Sequence, residues 1–128
     1  MNRSVTIGLA MLTGAALGAA AVQGLHAQAK PPIYVIGEID VLNQEAYLRD
    51  FAPKAQAVIE AAGGKFLARG GKTTTFEGEP PKPRITLQQW PSIEQYQAYR
   101  NSAAFKELSP LREKLGKFRI FAVEGLPQ

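Results

Sequence analysis

Arg69 stands immediately before Gly70-Gly71, in the stretch Phe66-Leu-Ala-Arg-Gly-Gly-Lys-Thr-Thr-Thr-Phe-Glu-Gly78. A guanidinium is a planar, permanently charged fork that grips a carboxylate through paired hydrogen bonds. Glycines that take positive φ or form a bulge bend a strand and re-aim the side chain beside them. Arg69 therefore has two readings: an anion holder turned into a cleft, or a solvated charge at a sheet edge whose glycines only turn a corner. Glu38 and Asp40 form a second candidate group. Two residues apart in an extended segment, they share one side at about 7 Å. That side is either exposed or lines a polar cavity, where Asp40 would be a proton carrier for a cofactor-free reaction.

Absent residue types narrow the chemistry. The chain has no Cys, and its one His, His26, lies in an N-terminal segment that reads as a leader. Once that leader is removed, His general-base triads, thiolate nucleophiles, the usual zinc sites and His-ligated haem are all excluded. The acids are scattered and form no Asp-rich loop, so no metal and no cofactor is expected. Net charge is +4, falling to +3 without Arg3, and the basic residues form no run. No nucleic-acid partner is therefore expected.

The leader has the order of a secretory signal peptide. Met1 to Ser4 is a short basic start, Val5 to Val22 is small and apolar, and Gln23 to Ala27 is the cleavage region. The expected division is a signal peptide at 1–27, a linker at 28–32, a folded domain at 33–125 and a tail at 126–128. The location is then secreted or periplasmic, with no membrane span after cleavage. An uncleaved leader acting as a membrane anchor is the alternative, since the apolar run is at the short end for spanning.

The remaining residues, roughly 100 in number, suffice for one core. Alternation over Ile33 to Val41 predicts a strand with Ile33, Val35, Ile39 and Val41 on one face. Gly37 shares that face and would make room for a helix. Asn43 to Ala62 predicts a helix capped by Asn43, with Tyr47, Phe51, Ala55, Val58 and Ala62 as its buried stripe and a kink or break at Pro53. Gly63-Gly64 ends it. Lys65 to Phe76 predicts a second strand, bulged at Gly70-Gly71, and Arg84 to Trp90 a third. The third strand separates Ile85 and Leu87 from Arg84, Thr86, Gln88 and Trp90. Ser92 starts the next helix, with Gln95 completing a capping box. Ser102 caps a short turn to Leu108, and Ser109-Pro110 starts a further helix ending at Gly116. Lys117 to Glu124 is the last strand.

The order β-α-β-β-α-β predicts an α+β, ferredoxin-like sandwich: a four-stranded antiparallel sheet with helices on one face. The other face would carry Tyr34, Ile36, Phe121 and Val123. A half-apolar bare sheet usually marks an interface, and two such sheets face to face would form a homodimer.

Phe66-Leu-Ala-Arg-Gly-Gly71, Trp90-Pro-Ser92, Tyr99-Arg-Asn-Ser102, Leu111-Arg112 and Val123-Glu-Gly125 now stand in one frame. Together they resemble the domain-of-unknown-function family 1330, over about residues 33–125. The resemblance implies a dimeric α+β barrel, a cleft between sheet and helices, and no established reaction. It singles out Arg69 and Arg112 as polar residues of the cleft, with Tyr47, Tyr99 and the single Trp, Trp90, as further candidates; core packing is the competing role for all three aromatics. Two functions follow. One is a small-molecule binding protein or cofactor-free enzyme for a small anionic or carboxylate ligand, of isomerase-like or monooxygenase-like chemistry. The other is a non-catalytic exported domain whose sheet face serves assembly.

Overall fold

The structure, a computed structural model, describes residues 30–127, and the expected leader lies outside them. Pro32–Gly125 forms one compact unit. Its elements are β1 (Ile33–Val41), α1 (Gln44–Ala46), a π-helical turn (Tyr47–Phe51), α2 (Ala52–Ala61), β2 (Lys65–Arg69), β3 (Arg84–Trp90), α3 (Ile93–Arg100), α4 (Ala103–Leu115) and β4 (Gly116–Glu124). The four strands pair antiparallel in the order β2-β3-β1-β4. This is the expected ferredoxin-like α+β arrangement.

Pairing decides which side of each strand faces the helices. Ile33 opposes Trp90 and Val35 opposes Gln88 across β1 and β3. Ile39 opposes Phe118 and Gly37 opposes Ile120 across β1 and β4. The helix side of the sheet therefore carries Thr86, Gln88 and Trp90 beside Ile33, Val35 and Ile39, all buried. Ile85 and Leu87 go to the open side with Tyr34, Ile36, Phe121 and Val123, where Phe121 and Val123 are exposed. One buried cluster joins Ile33, Val35, Ile59, Trp90 and Tyr99; a second joins Ile39, Tyr47, Phe51 and Leu115.

The first helix starts as expected: Asn43 Oδ1 accepts from the Ala46 amide at 3.0 Å. Its regular α-helical path is interrupted immediately before Pro53. The backbone opens into a π turn just before the proline, where the Ala52 amide donates to the Tyr47 carbonyl. Pro53 then falls in the first turn of α2, where a missing amide costs nothing. The buried stripe runs through Tyr47, Phe51 and Ile59; Val58 and Ala62 are only half-buried. Gly63 ends the helix at φ 108°.

Three further expectations give way. The second strand stops at Arg69, and its bulge lies between Phe66 and Ala68, not at Gly70-Gly71. Lys72 to Phe76 is irregular and exposed. Its pairing is exhausted, because Arg69 already opposes Thr86 near the start of β3, and threonine's strand preference holds only where a partner exists. Ser109-Pro110 does not start a new helix: α4 runs through both, with Ser109 Oγ donating to the Phe105 carbonyl at 3.1 Å. Ser92 does cap α3, accepting from the Gln95 amide at 3.1 Å. The Gln95 side chain, however, donates to the Ala62 carbonyl at 2.9 Å instead of closing a capping box. It thereby ties the start of α3 to the end of α2.

Candidate functional site

The cleft lies between the sheet and the helices, with an interior volume of about 70 Å3. Its floor is the helix side of β3, where Arg84, Thr86 and Gln88 alternate inward. The π turn contributes Tyr47 and Phe51, α3 contributes Tyr96, Tyr99 and Arg100, and α4 contributes Phe105 and Arg112. Arg69 borders it from the end of β2. Four guanidiniums thus surround one cleft, and no Asp or Glu lines it among the described residues. Among the described residues, none of the four has a carboxylate within ion-pair distance.

Aromatic rings hold these cations in place. The Arg84 guanidinium lies 5.1 Å from the centre of the Tyr47 ring, and that of Arg69 lies 5.0 Å from Phe66. Arg112 sits 3.7 Å from Phe118 and 5.5 Å from Phe105, whose ring also carries Arg100 at 4.5 Å. Cation–π contact uses the flat face of a guanidinium and leaves its N–H edge free to donate. Burial, and then the charge of Arg100, hold Arg112 below the ordinary arginine range. An anion between them would relieve both effects.

Glycines shape the walls. Gly70 has φ 69°, and a Cβ there would lie 2.5 Å from Arg84 Nη1. Its lack of a side chain therefore seats Arg84, which sequence reasoning had not connected with it. Gly37 makes room not for a helix but for its neighbour across the sheet: a Cβ would meet Thr86 Oγ1 at 2.5 Å.

The candidates divide clearly. Arg112, Tyr47 and Tyr99 line the cleft, and Arg69 stands exposed at its rim. Asp40 is excluded as a cleft residue, because strand alternation puts it on the open side of the sheet, where it pairs with Lys82. Glu38 is there too, paired with Arg119 and accepting from the Lys82 amide at 3.2 Å. Trp90 is core: it is 0% exposed and does not line the cleft. Its Nε1 donates to Gln88 Oε1 at 2.8 Å, which fixes that amide on the cleft floor. Arg84, Thr86, Gln88, Tyr96, Arg100 and Phe105 were not singled out by sequence. The available signal was Arg84 alternating onto the same strand face as Trp90, and Arg100 directly after Tyr99.

Burial pushes the Tyr99 hydroxyl up to about 12, reinforced by the neighbouring Tyr96. It also raises Tyr47, against the opposing charge of Arg84, and Tyr96, against that of Arg100. All three phenols are neutral at ordinary pH, so they offer hydrogen bonds and not basic catalysis. The folded chain holds these protons more tightly than the unfolded one. Their stability contribution is therefore complete below about pH 10 and is lost as the pH climbs towards 12, with roughly 2–3 kcal/mol from Tyr99. The melting temperature should fall across that window, and Tyr99→Phe should remove part of the fall. A profile identical in the variant would contradict this.

The fold is shared with solved structures. A protein of unknown function from Rhodopseudomonas palustris superposes with a TM-score of 0.62 at 16% identity, over 85% of this chain and 93% of that one. SnoaB, a cofactor-independent oxygenase from Streptomyces nogalater, superposes with a TM-score of 0.56 at 12% identity, over 77% of this chain and 96% of that one. At such identities the likeness is one of fold. No curated protein matches the chain. Residues 32–126 match the family described as Domain of unknown function (DUF1330). With the expected fold and the Ala-Arg-Gly-Gly run at the cleft rim, the chain belongs to the DUF1330 family.

Proposed function

We propose that the cleft binds a small anionic organic molecule, such as an aromatic carboxylate, whose charged group enters the interior of about 70 Å3 while its flat apolar body lies partly outside it. The observation that carries this reading is four guanidiniums around one aromatic cleft whose lining contains no acid. A surface cluster of arginines is well solvated and needs no partner; Arg84 and Arg112 are half-buried and have no partner carboxylate among the described residues. A ligand carboxylate would supply the missing charge, and charge-assisted bidentate hydrogen bonds would orient it. With Asp40 on the other side of the sheet and three neutral phenols in the cleft, no carboxylate or imidazole among the described residues faces the ligand. Any chemistry there would use the acidity of the ligand itself, with the arginines holding its carboxylate or enolate. The fold shared with a cofactor-independent oxygenase is compatible with that chemistry.

Calorimetric titration with benzoate tests the reading. The intact protein should bind it, and Arg112→Met should weaken binding about 100-fold. No heat with the intact protein, or equal affinity in the variant, would overturn it.

The same proposal includes an exported homodimer. The leader order supports export, and the open sheet face, with exposed Phe121 and Val123 beside Ile36 and Leu87, supports face-to-face pairing. Native mass spectrometry of protein recovered from the cell envelope should give a dimer of chains that begin at Gln28. A monomer, or chains that begin at Met1, would sink the corresponding half.

A further inference from the structure

The cationic groups of the cleft fall into two stations. Arg84, Ile39 and Phe118 form one row across β3, β1 and β4. At the ordinary spacing between strands, Arg84 and Phe118 start about 10 Å apart at the backbone. Arg84 makes the first station, seated against Gly70 and under the Tyr47 ring. Its Nε is buried and has no hydrogen-bond partner among the described residues. Arg112, stacked on Phe118, makes the second, with Arg100 sharing the Phe105 ring. Tyr47, whose ring covers the Arg84 guanidinium, lines the same cleft as Arg112.

One carboxylate has two oxygens and satisfies one guanidinium edge fully. Placed at Arg112, it would leave the buried Nε of Arg84 unmatched, and a buried donor without a partner is costly. We infer that the ligand carries two negatively charged groups on one flat scaffold, one facing Arg84 and the other facing Arg112 and Arg100. Its class is a compact aromatic dicarboxylate or an equivalent dianion. This rests on the anion-binding reading above and adds the second charge to it.

The test compares isophthalate with its monoamide, 3-carbamoylbenzoate, which has nearly the same shape and one charge fewer. Isophthalate should bind about 10- to 100-fold more tightly. Arg84→Gln should abolish that preference, so that isophthalate binds no more tightly than the monoamide, and Arg84→Lys, which keeps the charge, should retain part of it. Melting curves of both variants confirm that they fold. Equal affinity for the two compounds, or a preference that survives in Arg84→Gln, would overturn the second charge and leave the cleft reading intact. Failure of benzoate, isophthalate and the monoamide alike would overturn both.

Discussion

Replacement of Trp90 by alanine should remove about 3–5 kcal/mol of folding stability, the range for deleting a large buried aromatic. Trp90 is fully enclosed. It packs on Tyr96 at 5.2 Å and on Tyr99 at 5.1 Å between ring centres. Gly64 lies so close that a Cβ there would meet the indole Cζ2 at 2.5 Å. The cavity left by alanine cannot collapse easily, because strand, helix and backbone glycine all face it. Removal also leaves the Gln88 Oε1 on the cleft floor without its donor, a further penalty for a largely buried group. Small domains are stable by only about 5–15 kcal/mol, so this one change takes a large part of the total. Urea unfolding followed by circular dichroism measures it, since the substitution removes the only Trp fluorophore. A loss below about 1 kcal/mol would contradict the assignment of Trp90 to the core and return it to the list of cleft residues.

Arg112→Met should show the opposite division of effects, with ligand affinity falling about 100-fold and stability moving by no more than about 1 kcal/mol. Methionine keeps an apolar stem against Phe118 and Phe105. It forfeits the cation–π contacts, worth about 0.5–2 kcal/mol. It also removes a desolvated charge that Arg100 repels, which offsets that loss. The comparison with Trp90→Ala separates a binding residue from a structural one. A large loss of stability in Arg112→Met would mean that the guanidinium holds the helix to the sheet and has no ligand to meet.

Much of the fold was legible because three strands alternate strongly. β1, β3 and β4 lie where period-two patterning puts them, and their order compelled the ferredoxin-like arrangement. β2 was overdrawn because Thr73 to Phe76 has strand-forming residues but no strand to pair with. The helix at Ser109-Pro110 was divided because proline is a good first residue of a helix; here the carbonyl of Phe105 takes the Ser109 hydroxyl and the helix continues.

The cleft was half legible for a different reason. Arg69 was marked both by its place before Gly70-Gly71 and by the family resemblance, whereas Arg112 came from the resemblance alone. Arg84, the residue seated by Gly70, requires the β2–β3 register to be seen, and no local spacing contains that register. Asp40 failed for a different reason. The alternation that put Tyr34 and Ile36 on the open face of β1 puts Asp40 there as well, so its place in a cleft on the helix side conflicted with the strand pattern itself. Trp90 shows a third case, a core residue that acts on the site indirectly, by orienting Gln88 and by packing behind Tyr96 and Tyr99.

A crystal structure of the protein grown with benzoate addresses anion binding most directly. The carboxylate should lie in the cleft, with its oxygens within hydrogen-bond reach of the Arg112 guanidinium and its ring among Phe105, Tyr99 and Tyr47. An empty cleft at saturating benzoate, or benzoate found only on the outer surface, would contradict the assignment of these arginines to ligand binding.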